Sequence, residues 1–318
     1  MTVINTNTAS LVARDAIQRN DRAMSQAMER LSTGSRINSA KDDAAGLAIS
    51  VRMGAQVSGL NMAVRNANDA ISLLQTVDGA AQEISNMLNR MYELAVQAAS
   101  GTYTSTDRTA LDLEFGELMK EIQEIAERTE WNGTSIMDDT YDDTTNALKV
   151  QLGAEANQTM AIRIKDWRPT ISKDGEMASA TDTDYNGIDS ADSAYNLAGT
   201  ANGTEAGLYF NAGAEDTERL VITSAATAAI AVKNLNNAID GAARERAQYG
   251  AYISRLQHAA DNLQNVATNT AASKSQISDA DYAAETTELA RTQIISQAST
   301  AMLAQANQVK QTVLSLLQ

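Results

Sequence analysis

The chain has no cysteine, one proline (Pro169), one histidine (His258), and only two phenylalanines and two tryptophans. Without cysteine there are no disulfides, no thiol nucleophile and no Cys-based zinc site. With a single proline, almost nothing interrupts a long helix. Aromatics supply 4% of the residues, so a hydrophobic content of 43% rests on Ala, Leu, Ile and Met, which suit helices. Positive charge is also scarce. A net charge of −15 gives no electrostatic reason to bind nucleic acid or anionic lipid. No run of about 18 apolar residues occurs, so no membrane span is expected. The start, Met1 to Thr6, lacks the basic region and apolar stretch of a secretory signal, so export would use a route without a cleaved signal.

What the chain does have is heptads. Val57, Leu60, Val64, Ala67, Ile71 and Leu74 recur alternately three and four residues apart. The pattern resumes at Ala81, Ile84, Leu88, Met91, Ala95 and Ala98, with Asp78 as the polar position between the halves. This predicts one helix of roughly 60 Å, too long to bury its stripe without partners of similar length. A second helix is expected over about 105–128, capped by Ser105 or Thr106, with Leu111, Leu118, Ile122 and Ile125 as its stripe. Trp131-Asn132-Gly133 reads as the turn that ends it. The partner stripe lies near the other end: Val232, Leu235, Ile239, Ala242, Tyr249, Ile253, Leu256, Ala260, Leu263 and Ala267, with Arg246 as its charged intruder.

The middle differs in kind. Leu148, Val150 and Leu152, then Met160, Ile162 and Ile164, alternate with polar residues around a polar loop, the pattern of a β-hairpin. After Pro169 the chain turns polar, and 169–221 reads as a small outward insertion of α/β or β type, with Leu208 to Phe210 and Leu220 to Ile222 as candidate strands. The fold class expected is therefore mainly α: a long antiparallel helical bundle or coiled coil with a β-hairpin and a small central insertion. Both ends are amphipathic again. Ile17, Met24, Met28 and Leu31 form one stripe, and Ile295, Met302, Val309, Val313 and Leu316, with Ala298 and Ala306, form the other. A terminal stripe with no core of its own needs neighbours.

Several longer motifs then coincide. Glu29–Gly46 (ERLSTGSRINSAKDDAAG), Val3 to Asn7, Arg65 to Asp69 and Glu93 to Gln97 closely resemble the N-terminal half of bacterial flagellins. Asp279 to Ala283, Leu303 to Val309 and Val313 to Leu317 resemble the C-terminal half. The chain departs at Lys310, where the family commonly has Pro, and its insertion is short for the family. The resemblance implies a self-assembling subunit of the extracellular flagellar filament, exported unfolded. Residues 1–43 and 278–318 would form the inner filament core, 44–168 and 222–277 a rod-like bundle with the β-hairpin, and 169–221 the variable outer part. It further implies terminal segments that fold only on assembly. The implied partners are further copies, a secretion chaperone, the filament cap and hook-junction proteins. It also implies a contact surface at Arg90, Leu94 and Glu114, shared between neighbouring subunits and the vertebrate innate-immune flagellin receptor; Asn89 and Tyr92 differ from the commonest family residues nearby. A hook–filament junction protein of the same superfamily is the alternative.

Other chemistry finds little footing. His258 falls in a heptad run among Arg255, Gln257 and Ala259, and reads as a solvated or rim position. No His-Glu-x-x-His zinc motif, nucleophile elbow or phosphate loop is present, so neither catalytic residues nor a cofactor are expected. Asp182, Asp184, Asn186 and Gly187 match part of a calcium loop, the basis of a second alternative, a calcium-binding module in the insertion. Position 12 of such a loop is Ser193 in place of the bidentate Glu, with Asp189 and Asp192 at less usual places, so a solvated acidic turn is expected and no metal.

Overall fold

The computed structural model describes residues 7–138, 141, 146–168 and 220–315, with the side chains of 9 and 309–315 outside the description. Its helices are α1 (Thr8–Thr33), α2 (Ala44–Ala99), α3 (Ser105–Arg128), α4 (Ala225–Ser278) and α5 (Tyr282–Ser315). Two antiparallel hairpins complete it: β1 (Glu130–Trp131) with β2 (Thr134–Ser135), and β3 (Leu148–Gln151) with β4 (Thr159–Ile162). The chain forms two compact units, Met1–Ser58 with Val266–Gln318, and Gly59–Asn265. Their boundaries fall inside the two longest helices, away from the interhelical loops near 43 and 278.

The unit Gly59–Asn265 holds the hydrophobic core. Leu74, Ile84, Leu88, Met91 and Leu94 of α2 pack with Phe115, Met119 and Ile122 of α3, and with Leu235, Ala242, Tyr249 and Leu256 of α4. The two polar interruptions of the heptads meet each other: Arg246 Nε donates to Asp78 Oδ1 at 2.8 Å. Helix α3 runs back along α2. Arg108 donates to the carbonyls of Ala98 and Ser100 at the C-terminus of α2, and Arg90 of α2 pairs with Glu114. The cap of α3 is Thr104, one residue ahead of the expected Ser105 or Thr106. Its side chain accepts from Asp107 N while Asp107 accepts from Thr104 N, a capping box. The buried stripe is also rotated from the expected one: Phe115, Met119 and Ile122 are fully inside, while Leu111, Leu118 and Ile125 are half-buried at its margin. Phe115 is the largest side chain on α3 and takes the centre.

Trp131-Asn132-Gly133 does end α3, but as the turn of the β1–β2 hairpin. Asn132 and Gly133 both have positive φ (51° and 76°), as the twist of a tight two-residue hairpin demands. In the second hairpin Leu148 pairs with Ile162 and Val150 with Met160, which puts the alternating apolar residues on one face. Beyond β4 the chain contacts α4 at two points. Trp167 Nε1 donates to Tyr249 Oη at 3.0 Å, and Lys165 Nζ lies 3.3 Å from Glu245 Oε1. Leu220 and Ile222 are not strand residues; they are buried core, with Ile222 N donating to the buried Asp112 carboxylate at 2.9 Å. Leu208 to Phe210 lie outside the described residues.

In the other unit, Gly34 caps α1 in the left-handed conformation (φ 70°) that favours glycine. The α1–α2 loop is stitched to the α4–α5 junction. Arg36 N donates to Ser278 O, Ala280 N to Gly34 O, and the Arg36 guanidinium to Ile277 O, at 2.7, 2.9 and 2.7 Å. Asp281 then caps the start of α5, accepting from Ala283 N at 2.9 Å.

Candidate assembly surface

Helices α1 and α5 pack antiparallel: Arg30 reaches Glu285, Asn20 reaches Thr292, and Asn7 reaches Ala306. The facing residues follow heptad spacing on both sides. On α1 they are Ala13, Ile17, Asn20, Met24, Ala27 and Leu31; on α5 they are Glu285, Leu289, Thr292, Ser296, Ser299, Leu303 and Ala306. All are buried or half-buried, and most are small or polar.

The expected terminal stripes therefore divide. Ile17, Met24 and Leu31 lie in the seam, while Met28 is 53% exposed on another face. On α5 the expected stripe divides too: Ala306 lies in the seam, while Ile295, Ala298 and Met302 are exposed, Ile295 at 38% and Met302 at 66%, and Ile294 is as open as Met302. Small residues admit a closer helix approach, so the seam took Thr292, Ser296 and Ser299 along with Leu289 and Leu303 and left Ile294, Ile295 and Met302 outside. Val309 and Val313 belong to α5 but their side chains are outside the description, as is Leu316 altogether. Leu11 and Val12 of α1 are exposed as well. The outcome is a helix pair with a thin, partly polar seam and apolar side chains turned outward. Sequence reading missed the seam's polar members, although Asn20 at heptad spacing from Ile17 and Met24 was a usable signal.

The second candidate surface is the edge where α2 meets α3. Arg90 lies between two carboxylates, its Nε 2.9 Å from Glu114 Oε1 and its Nη1 3.1 Å from Glu93 Oε2. All three side chains are exposed, and the hydrogen bonds to Glu114 and then Glu93 raise the guanidinium pKa further. Leu94 does not share this surface. It is 1% exposed and belongs to the core, because it points in with Met91 and Ala95 and not out with Arg90.

Among the described residues no cluster of three or more His, Asp or Glu could hold a metal, and His258 is exposed on α4. No described helix is long and apolar enough to cross a membrane. The partial calcium loop at Asp182 to Gly187 lies outside the described residues.

A helical bundle with its own core and, in the other unit, a terminal helix pair with outward apolar side chains suit a polymerising subunit, and comparison with known proteins agrees. Residues 4–142 match the bacterial flagellin N-terminal helical region, and residues 232–317 the bacterial flagellin C-terminal helical region. Polar flagellin F of Vibrio parahaemolyticus is 36% identical over 377 aligned positions, covering 99% of each chain. Flagellin D of Vibrio cholerae is 34% identical with 99% of each covered. Among solved structures, Bacillus cereus flagellin shares 31% identity over 66% of this chain and 94% of its own, with a TM-score of 0.42. The chain belongs to the bacterial flagellin family. It is a structural subunit that polymerises into the flagellar filament, an extracellular appendage of the bacterial surface.

Proposed function

We propose that the outward apolar faces of α1 and α5 are the surfaces on which copies of this chain pack, with 1–43 and 278–318 forming the inner wall of the filament. The observation that supports this is the exposure of Leu11, Val12, Met28, Ile294, Ile295 and Met302 on two helices whose mutual seam is thin. Such a face costs free energy in water, and each of these side chains, already partly covered, contributes about 0.5–2 kcal/mol when a neighbour buries the rest of it. Before assembly the pair has too little core to hold it, so the ends order as neighbours arrive. The rod of 44–168 and 222–277 carries its own core, and 169–221 forms the outer part. Contacts of this kind run head to tail without closing, as a filament requires.

The chain acts as a structural protein and not as an enzyme. It leaves the cell unfolded through the flagellar export route without a cleaved signal, attended by a secretion chaperone, and adds beneath a filament cap onto hook-junction proteins. The exposed Arg90, Glu93 and Glu114 form a contact edge for neighbouring subunits and, in free monomer, for the innate-immune flagellin receptor. Leu94 contributes to that edge only by supporting the helix beneath it.

Deletion tests the central reading. A chain lacking 1–40 and 280–318 should retain a cooperative melting transition from its Gly59–Asn265 core. It should form no filaments by electron microscopy under salt conditions that polymerise the full chain. Filaments of normal length from the truncated chain would overturn the assignment.

A further inference from the structure

The seam between α1 and α5 poses a problem of register. A heptad seam made largely of Ala, Ser and scattered Leu, Ile and Met packs about equally well after a slip of one heptad, because the slip sets seam positions against seam positions again. Hydrophobic burial alone does not choose. What differs between registers is polar, beginning with the bonds of Arg36 N to Ser278 O and Ala280 N to Gly34 O at the loop end. Arg30 Nη1 donates to Glu285 Oε1 at 2.9 Å across the seam, with side-chain exposures of 26% and 14%. Both charges also sit at helix ends that favour them: Arg30 in the last turn of α1, Glu285 in the first turn of α5. Arg30 Nε is buried and has no hydrogen-bond partner; Nη1 pairs with Glu285, and Asp42, whose carboxyl is lowered first by hydrogen bonds from Ser39, is near enough to be held lower in part by the Arg30 charge. Between the ends, Asn20 Nδ2 donates to Thr292 O at 2.7 Å, and both residues are buried.

We infer that the cross-seam pair Arg30–Glu285, acting with the loop-end bonds, sets the register in which the two terminal helices pair, and so fixes which faces of α1 and α5 remain outward for neighbouring subunits. A one-heptad slip carries Arg30 away from Glu285 and leaves a half-buried guanidinium and a half-buried carboxylate apart. That is the situation in which a buried polar pair confers specificity even where it adds little stability. Arg30 and Glu285 are positioning residues in this sense. The inference rests on the proposed role of the terminal helices in assembly.

The absence of cysteine makes the register measurable. Ser10 lies one turn on from Asn7 and Leu303 one turn back from Ala306, so Ser10→Cys with Leu303→Cys reports the native register; Ser10→Cys with Ser296→Cys reports a one-heptad slip. Both pairs are oxidised in assembled filaments and read as intrachain disulfides by gel mobility, separately from interchain dimers. In the parent chain the native pair should cross-link at least fivefold more than the slipped pair. Arg30→Glu should reduce that ratio at least threefold or block assembly. Adding Glu285→Arg should restore at least half of what was lost, short of all because each reversed charge opposes its helix dipole. An unchanged ratio in Arg30→Glu, or a double variant no better than the single, overturns the register assignment while leaving the terminal-helix role standing. No native cross-link in the parent filament overturns both.

Discussion

Arg90 and Leu94 are four residues apart, which on a helix suggests one face, and the structure separates them. The heptads of α2 already contained the reason: Leu94 adjoins the seam residues Met91, Ala95 and Ala98, whereas Arg90 lies on the side toward Glu114. The two substitutions should consequently fail in different ways. Arg90→Ala should leave the melting temperature within a degree or two while weakening receptor activation by monomer in a cell reporter assay. Leu94→Ala should cost about 2–5 kcal/mol of stability in a denaturant titration, the usual range for a truncated core leucine. A destabilised Arg90→Ala, or a Leu94→Ala chain of unaltered stability, would contradict this division.

Glu245 is the other residue whose setting matters. It is 4% exposed, and burial raises its pKa against the opposing pull of Lys165, Arg163 and Arg244. A carboxyl whose folded pKa is raised holds its proton more tightly in the native state. Its stabilising contribution is complete below the unfolded value of 4.5 and is lost as pH rises through the raised folded value. Wild-type stability relative to Glu245→Gln should therefore fall as pH climbs above 4.5, and level off once Glu245 is ionised in both states. Thermal melts of the two chains across that range check it; a difference that grows with pH would reverse the sign and refute the assignment.

At the scale of elements, the longest periodic signals were the most legible. Asp78 and Arg246 looked like separate blemishes in two heptad runs and proved to be partners, so each marked the place where the other helix passes. The α3 boundaries were readable, but the cap was not, because Thr104, Ser105 and Thr106 are all competent capping residues. Geometry chose the one that has an Asp three positions on. Thr104→Ala should cost about 1 kcal/mol, while Thr106→Ala should be near neutral; chemical denaturation distinguishes them. Helix α5 was misread by a face for a physical reason. Large apolar residues dominate any stripe drawn from sequence, yet its packing against α1 took Thr292, Ser296 and Ser299 along with Leu289 and Leu303 and left Ile294, Ile295 and Met302 exposed. The β1–β2 hairpin escaped notice because strands of two residues have no period to detect. Leu220 to Ile222 are a candidate strand by sequence because a short apolar run looks the same whether it pairs with a neighbour or plugs a core.

Over the whole molecule, burial is unevenly distributed. Nearly every large fully buried side chain, from Leu74 to Tyr249, belongs to the Gly59–Asn265 unit, whereas the terminal unit has Ala27 and Ala267 as its most completely buried apolar residues. The chain thus joins a part that carries its own core to a part that carries little; on the proposed assembly, other copies complete the second. The composition foretold this: an Ala-rich, aromatic-poor sequence can sustain long helices, but its ends lack the bulk to close a core.

The contact between Trp167 and Tyr249 has an optical consequence. Both tryptophans of the chain, Trp131 and Trp167, lie within Gly59–Asn265, and the terminal unit has Tyr282 as its sole aromatic residue. In a Trp131→Phe chain all tryptophan emission would come from Trp167, which is sealed in the core, hydrogen-bonded to Tyr249 and out of reach of any neighbouring subunit. Seeding such monomers into filaments should raise the helical ellipticity of the solution as the ends order, while the emission wavelength stays fixed. A blue or red shift accompanying polymerisation would mean that assembly reaches into the rod itself. If the emission holds still, the two spectra taken on one sample separate the ordering of the ends from the integrity of the core, and the growing filament can be followed without attaching any dye.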